Sequence, residues 1–179
     1  GFLSSLVVFP EFRGRGLAKR LLRSFAHEFP DATSLGLDVF ADNEAAIDLY
    51  TSAGFQAVST HHWLVRRVRP GAESIAVADL PRAFAMHAAH GFTSFVVEDE
   101  ERHGPVGLIG AEVINCFEES AFRDLDFLAA VARTFEGRRT AFHSTQDERL
   151  ADETGATLIN RSVRMELTDL SGLRTASTH

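Results

Sequence analysis

The sequence predicts an α/β protein built on a mixed sheet, and three observations carry that reading. Apolar runs of strand length alternate with stretches of helical periodicity, giving strand, helix, strand, helix, strand across residues 2–68. Helix, strand, helix, glycine and long strand recur weakly at 122–168, with Gly155-Ala156 standing where Gly54-Phe55 stand. Between the two copies lies Arg69-Pro70-Gly71-Ala72, where the two strongest backbone breakers adjoin.

Each element has a local cause. Residues 2–8 read as a buried strand that Pro10 ends. The helix over 14–29 carries Leu17, Ala18, Leu21, Leu22, Phe25 and Phe29 on one stripe and stops at Pro30. A strand over 35–40 follows. Asp42 or Asn43 then caps a helix that carries Ile47 and Tyr50 on one face and closes at Gly54. Residues 55–68 read as a long β segment that bends or forms two strands near His61-His62. In the second half the pattern predicts a strand at 75–77 and a helix capped by Asp79 with Pro81 near its start. It then predicts a hairpin of 92–98 with 106–117 about a charged turn, a helix over 122–136, a strand over 139–144, a helix over 146–154 and a strand over 157–168. The polar residues 171–179 are expected to fray.

Composition bounds the function. The 179 residues suffice for one ordinary domain or two small lobes, and 45% hydrophobic with 24% charged residues is globular usage. A net charge of -7 disfavours nucleic acid as a partner and suits a cationic substrate such as an amine. No apolar run approaches the ~20 residues of a membrane span. Cys116 stands alone in an apolar run, which excludes a disulfide framework, points to the cytoplasm and reads as a buried small hydrophobe. His87 and His90, and the adjoining His61 and His62, have no cysteine or carboxylate at metal-ligand spacing, so no metal is expected.

The chemistry concentrates in Val8-Phe9-Pro10-Glu11-Phe12-Arg13-Gly14-Arg15-Gly16-Leu17-Ala18-Lys19. Here an apolar strand runs into a glycine-interrupted basic turn and then a helix. Glycines let the backbone approach a ligand, and the free amides and positive dipole end of the helix attract anions. Arg13, Arg15, Lys19 and Arg20 add charge, so the stretch reads as a diphosphate cradle. A dinucleotide fingerprint would need glycine at Lys19, and a Walker pattern would need Gly-Lys-Ser/Thr; both fail. Arg-x-x-Gly-x-Ala, from Arg13 through Gly16 to Ala18, resembles the first motif of the GCN5-related N-acetyltransferases. A second block in the right order strengthens the likeness: the strand Leu37-Asp38-Val39-Phe40, then Asn43, a helix bearing Tyr50, and Gly54-Phe55. The resemblance covers residues 2–67.

That resemblance implies an acyl-CoA N-acyltransferase fold and direct attack of an amine on the thioester of acetyl-CoA, the co-substrate. It assigns Leu6, Val7 and Val8 to the pantetheine arm, and Gly14, Arg15, Gly16, Leu17, Ala18 and Lys19 to the diphosphate, with Arg13 shaping the turn. Asn43 would position CoA. Tyr50, the only tyrosine, would protonate the leaving sulfur, against the reading of a core aromatic. Asp38 either accepts the amine proton or only bonds the next strand.

The family places about three strands and one or two helices ahead of its first motif, which this chain does not carry, so N-terminal elements are expected to be missing. Residues 1–69 form the motif region. Residues 72–170 are expected as a degenerate lobe of the same fold, since Ser144 and Ala151 replace Asn43 and Tyr50 there; alternatively, residues 75–117 complete the first sheet. The function expected is an N-acetyltransferase acting on a small amine or a protein amino group. The alternative is a non-catalytic acyl-CoA sensor or interaction module, and a homodimer is compatible with either.

Overall fold

The computed structural model describes residues 1–97 and 105–175. In chain order the elements are β1 (Phe2–Leu3), a 3-10 turn (Pro10–Phe12), α1 (Leu17–Glu28), β2 (Leu35–Phe40), α2 (Glu44–Ser52), β3 (Gln56–Arg67), α3 (Leu80–His90), β4 (Phe92–Phe95), β5 (Val106–Ile109), β6 (Val113–Cys116), α4 (Glu119–Arg123), α5 (Leu125–Thr134), β7 (Thr140–Thr145), α6 (Leu150–Thr154), β8 (Thr157–Leu167) and α7 (Ser171–Thr175). The fold is a mixed α/β sheet with helices.

Packing divides the chain into Gly1–His61 with Asn160–His179, and His62–Ile159. The cuts fall inside β3 and β8 and not at residues 69–72. The reason is that β3 runs unbroken to Arg67, and Val68 behind it is buried and donates its amide to Arg139 O at 2.9 Å. The Pro-Gly break therefore lies within the second unit.

In the first unit β1 pairs parallel with β2 at Phe2 and Leu3, and β2 pairs antiparallel with β8 from Leu35–Leu167 to Phe40–Ser162. The strand expected over 2–8 is regular only in its first two residues. Past Leu3 the chain leaves the ladder with β2, and Leu6, Val7 and Val8 line a groove instead. Helix α1 buries Leu22 and Ala26 against Leu35, Leu37, Phe55 and Met165, while Leu21 and Phe29 of the expected stripe stay exposed. Each fully buried leucine contributes roughly 1.5–3 kcal/mol at most. The tail does not fray before Thr175. Helix α7 buries Leu173, and Arg174 donates to the carbonyls of Ala26, Phe29, Pro30 and Ala32 at 2.9–3.2 Å, satisfying the open C-terminal end of α1. Residues 176–179 lie outside the described residues.

In the second unit β4, β5 and β6 form an antiparallel meander, β6 runs parallel to β7, and β7 pairs antiparallel with residues 62–67 of β3. The expected hairpin partner 106–117 is thus two strands, folded at Gly110, whose φ of 55° glycine tolerates. The turn expected at 99–105 falls largely outside the described residues. Residues 75–77 make only an isolated bridge, Val77 to Val97. The helix over 122–136 is broken at Asp124, whose carboxylate accepts the Phe127 amide at 2.8 Å and starts α5 afresh. Similarly, Asp147 accepts the Arg149 amide at 3.0 Å, and α6 begins only at Leu150. Phe122, Phe127 and Phe135 are fully buried with Leu64, Leu108 and Ile114, and Phe95 packs on Phe135 at 4.7 Å between ring centroids.

Candidate functional site

The first unit holds a groove of about 640 Å³. It brings together Leu6, Val7, Val8, Arg13, Gly14, Gly16, Leu17, Ala18, Lys19, Asn43 and Tyr50 from the sequence reading. Phe12, Ala45, Ala46 and Leu49 complete its lining. Sequence reasoning missed these four. The helical spacing of Ala46 and Leu49 around Tyr50 would have shown three of them, counting Ala45 beside Ala46, as one face of α2.

The local sequence builds the floor. Gly14 and Gly16 have φ of 75° and 71°, and a Cβ at either would meet nothing within 4 Å. The glycines are therefore needed for the backbone conformation, and the space before them is open. Gly16 caps α1, its carbonyl accepting the Arg20 amide at 3.1 Å. Among the described residues no backbone carbonyl accepts from the amides of residues 14–19. These donors cluster at the positive end of the α1 dipole, which is the arrangement an oxyanion occupies. Arg13 folds the turn back: its Nε donates to Val8 O at 3.1 Å. Arg15 is not part of the lining, its guanidinium standing 5.6 Å from the Phe12 ring centroid.

The opposite wall is α2. Asn43 caps it, Oδ1 accepting the Ala46 amide at 3.2 Å, which leaves the Asn43 amide group to donate into the groove. Tyr50 is 8% exposed, its ring 5.6 Å from that of Phe55. Among the described residues its hydroxyl meets no hydrogen-bonding partner, and burial raises its pKa above the usual tyrosine value, holding it protonated. Asp38 is elsewhere. It lies opposite Arg164 in the β2–β8 ladder and takes two hydrogen bonds from that guanidinium, at 2.5 and 2.9 Å.

Residues 1–55 match the Acetyltransferase (GNAT) family. That segment, just under a third of the chain, is what resembles the GNAT superfamily. The uncharacterized N-acetyltransferase YobR of Bacillus subtilis is 35% identical over 69 residues, 37% of this chain and 28% of YobR. N-alpha-acetyltransferase RimI of Mycobacterium tuberculosis is 45% identical over 49 residues, 27% of this chain and 30% of RimI. The matched segment thus spans less than a third of either relative. A tandem GNAT protein from the clavulanic acid biosynthesis pathway superposes with a TM-score of 0.59 at 16% identity, covering 93% of this chain and 74% of that one. A GCN5-related N-acetyltransferase from Sphaerobacter thermophilus gives 0.53 at 17% identity, covering 89% and 70%. At these identities the structures speak for the fold alone.

Outside the groove, Cys116 is buried and its thiol is pushed up to about 12, first by desolvation, with Arg66 opposing. That is an inert core cysteine. Among the described residues no group of three or more His, Cys, Asp or Glu is placed to hold a metal, and no helix is long and apolar enough to cross a membrane.

Proposed function

We infer that the chain carries an acyl-CoA-dependent N-acetyltransferase site moving an acetyl group from acetyl-CoA to an amine. One observation supports this above the rest: a single groove joins Gly14, Gly16, Leu17, Ala18 and Lys19, whose amides are free, to a buried, protonated Tyr50. The diphosphate would accept hydrogen bonds from those amides, with Lys19 adding charge. The pantetheine arm would lie along residues 6–8 as an added strand, and the Asn43 amide would hold its polar groups. The amine attacks the thioester carbonyl, forming the C–N bond and an oxyanion that a backbone amide near Val8 meets. Collapse breaks the C–S bond, and the departing sulfur takes the Tyr50 proton. Among the described residues no carboxylate or imidazole lines the groove, so the ammonium proton leaves to water, from which the Tyr50 phenolate regains its own. Asp38, held by Arg164, is assigned a structural part.

We assign the second unit as a degenerate lobe of the same fold, with no acyl-CoA chemistry of its own. The test is acetyl-CoA binding followed by turnover. At ~100 times its dissociation constant acetyl-CoA should stabilise the protein by about 2.7 kcal/mol, and dephosphorylated pantetheine by much less. Turnover with a panel of amines and N-terminal peptides then decides between enzyme and sensor. Equal, negligible shifts from both ligands would remove the acyl-CoA assignment, and tight binding without turnover would make the site a sensor.

A further inference from the structure

The second unit has a pocket of about 310 Å³ lined by Arg67, Val68, Arg69, Glu112, Arg139 and Thr140, none of them shared with the groove. Backbone register builds it. Arg67 lies opposite Thr140 at the end of the β3–β7 ladder, and Arg139 O accepts the Val68 amide. Val68 is buried, and successive side chains of extended chain point to opposite sides, so Arg67 and Arg69 both stand away from it. Arg139 and Thr140 are tied by their amides to Glu112 O at 3.0 and 3.2 Å, which brings the turn between β5 and β6 to the same place.

Three arginines and one glutamate therefore line a small concavity. Among the described residues the side chains of the three arginines make no hydrogen bond or ion pair, to Glu112 or to any other group, in a chain whose net charge is -7. The neighbouring Arg138 adds an independent observation. It is 6% exposed, its Nη1 donates to Gly110 O at 2.5 Å, its Nη2 lies 3.3 Å from His87 Nε2, and its Nε has no partner. A buried cation without a carboxylate raises the positive potential around the β5–β6 turn, where that pocket opens.

We propose that Arg67, Arg69 and Arg139 form an oxyanion site for a phosphate group carried on a small molecule. Guanidinium forks match phosphate oxygens, and three forks exceed what the two oxygens of one carboxylate can accept. Glu112 at the same pocket disfavours a second anionic group beside the first.

The test uses the full chain, 15N-labelled, with inorganic phosphate as the probe at low salt. The Nε–H signals of Arg67, Arg69 and Arg139 should shift together and saturate. Arg139→Gln should weaken the binding read on Arg67 and Arg69 by about tenfold or more, since hydrogen bonds to charged groups are the strong ones, and Arg139→Lys should lose less. The rest of the amide spectrum should be unchanged, since Arg139 is exposed. Shifts that do not saturate, that appear equally on Arg20 and Arg23, or that survive Arg139→Gln unaltered would overturn the site. Acetate binding as tightly as phosphate would overturn the assignment to phosphate.

Discussion

The two units repeat one layout and differ at one place. In both, a strand runs parallel to the next, β1 to β2 and β6 to β7, and the second of each pair takes an antiparallel partner from the other half of the sequence. In both, the helix after the second of these strands is followed by a glycine of positive φ, Gly54 or Gly155, and the next amide returns to the equivalent carbonyl, Phe55 to Tyr50 at 3.0 Å and Ala156 to Ala151 at 2.9 Å. Ala151 thus occupies the backbone position of Tyr50. Between the parallel strands the units diverge. The first has the glycine turn with its unpaired amides; the second has Phe117, Glu118 and Glu119, then the buried Ala121 and Phe122. Arg66 donates to Phe122 O at 3.1 Å and His143 stacks on the Phe122 ring at 5.5 Å. One layout therefore carries an open glycine turn in one unit and a packed corner in the other.

The largest expected effect lies at the packed corner. Phe122→Ala should cost about 3–5 kcal/mol in denaturant unfolding, whereas Phe12→Ala, at the open groove, should stay within about 1 kcal/mol. Equal costs would break the contrast. Cys116 reports on the same corner. Its folded thiol lies above the unfolded value, so the stability it contributes is present below pH about 9 and is lost as pH rises toward 12. At pH 8.5 it should resist alkylation in the wild type and react in Phe122→Ala.

At the groove, Tyr50→Phe should lower turnover by about 10², the low end for a positioned acid, because a thiolate is only a moderately poor leaving group. Stability and CoA affinity should change little, since the ring still packs on Phe55. Unchanged turnover would make Tyr50 a core residue like its counterpart Ala151. Gly16→Ala should cost about 1 kcal/mol for the left-handed backbone and weaken acetyl-CoA binding. Asp38→Asn should be the smallest, under about 1 kcal/mol, because its pair with Arg164 is roughly a third exposed on each side. Turnover should survive it. A large loss of turnover with stability intact would return Asp38 to the chemistry.

Most of the groove was legible because its requirements are local. Glycine at a left-handed turn, a helix start and an Asn cap followed by tyrosine two turns on are all written within neighbouring residues. What failed depends on distant partners. The strand over 2–8 looked continuous, yet Leu6, Val7 and Val8 leave the ladder where β2 no longer pairs with them. Arg164, which occupies Asp38, is 126 positions away in the chain. The polar tail read as frayed because the four carbonyls that hold Arg174 belong to the end of α1 and its loop. Periodicity likewise could not see that Asp124 would restart a helix that its apolar pattern continues.

The contrast between the two turns is tested most directly by amide hydrogen exchange with and without saturating acetyl-CoA. The expected result is slowed exchange at residues 14–19 and around Asn43, with residues 117–123 unchanged. Protection at 117–123, or none at 14–19 while acetyl-CoA is bound, would contradict the assignment of the glycine turn as the acyl-CoA cradle.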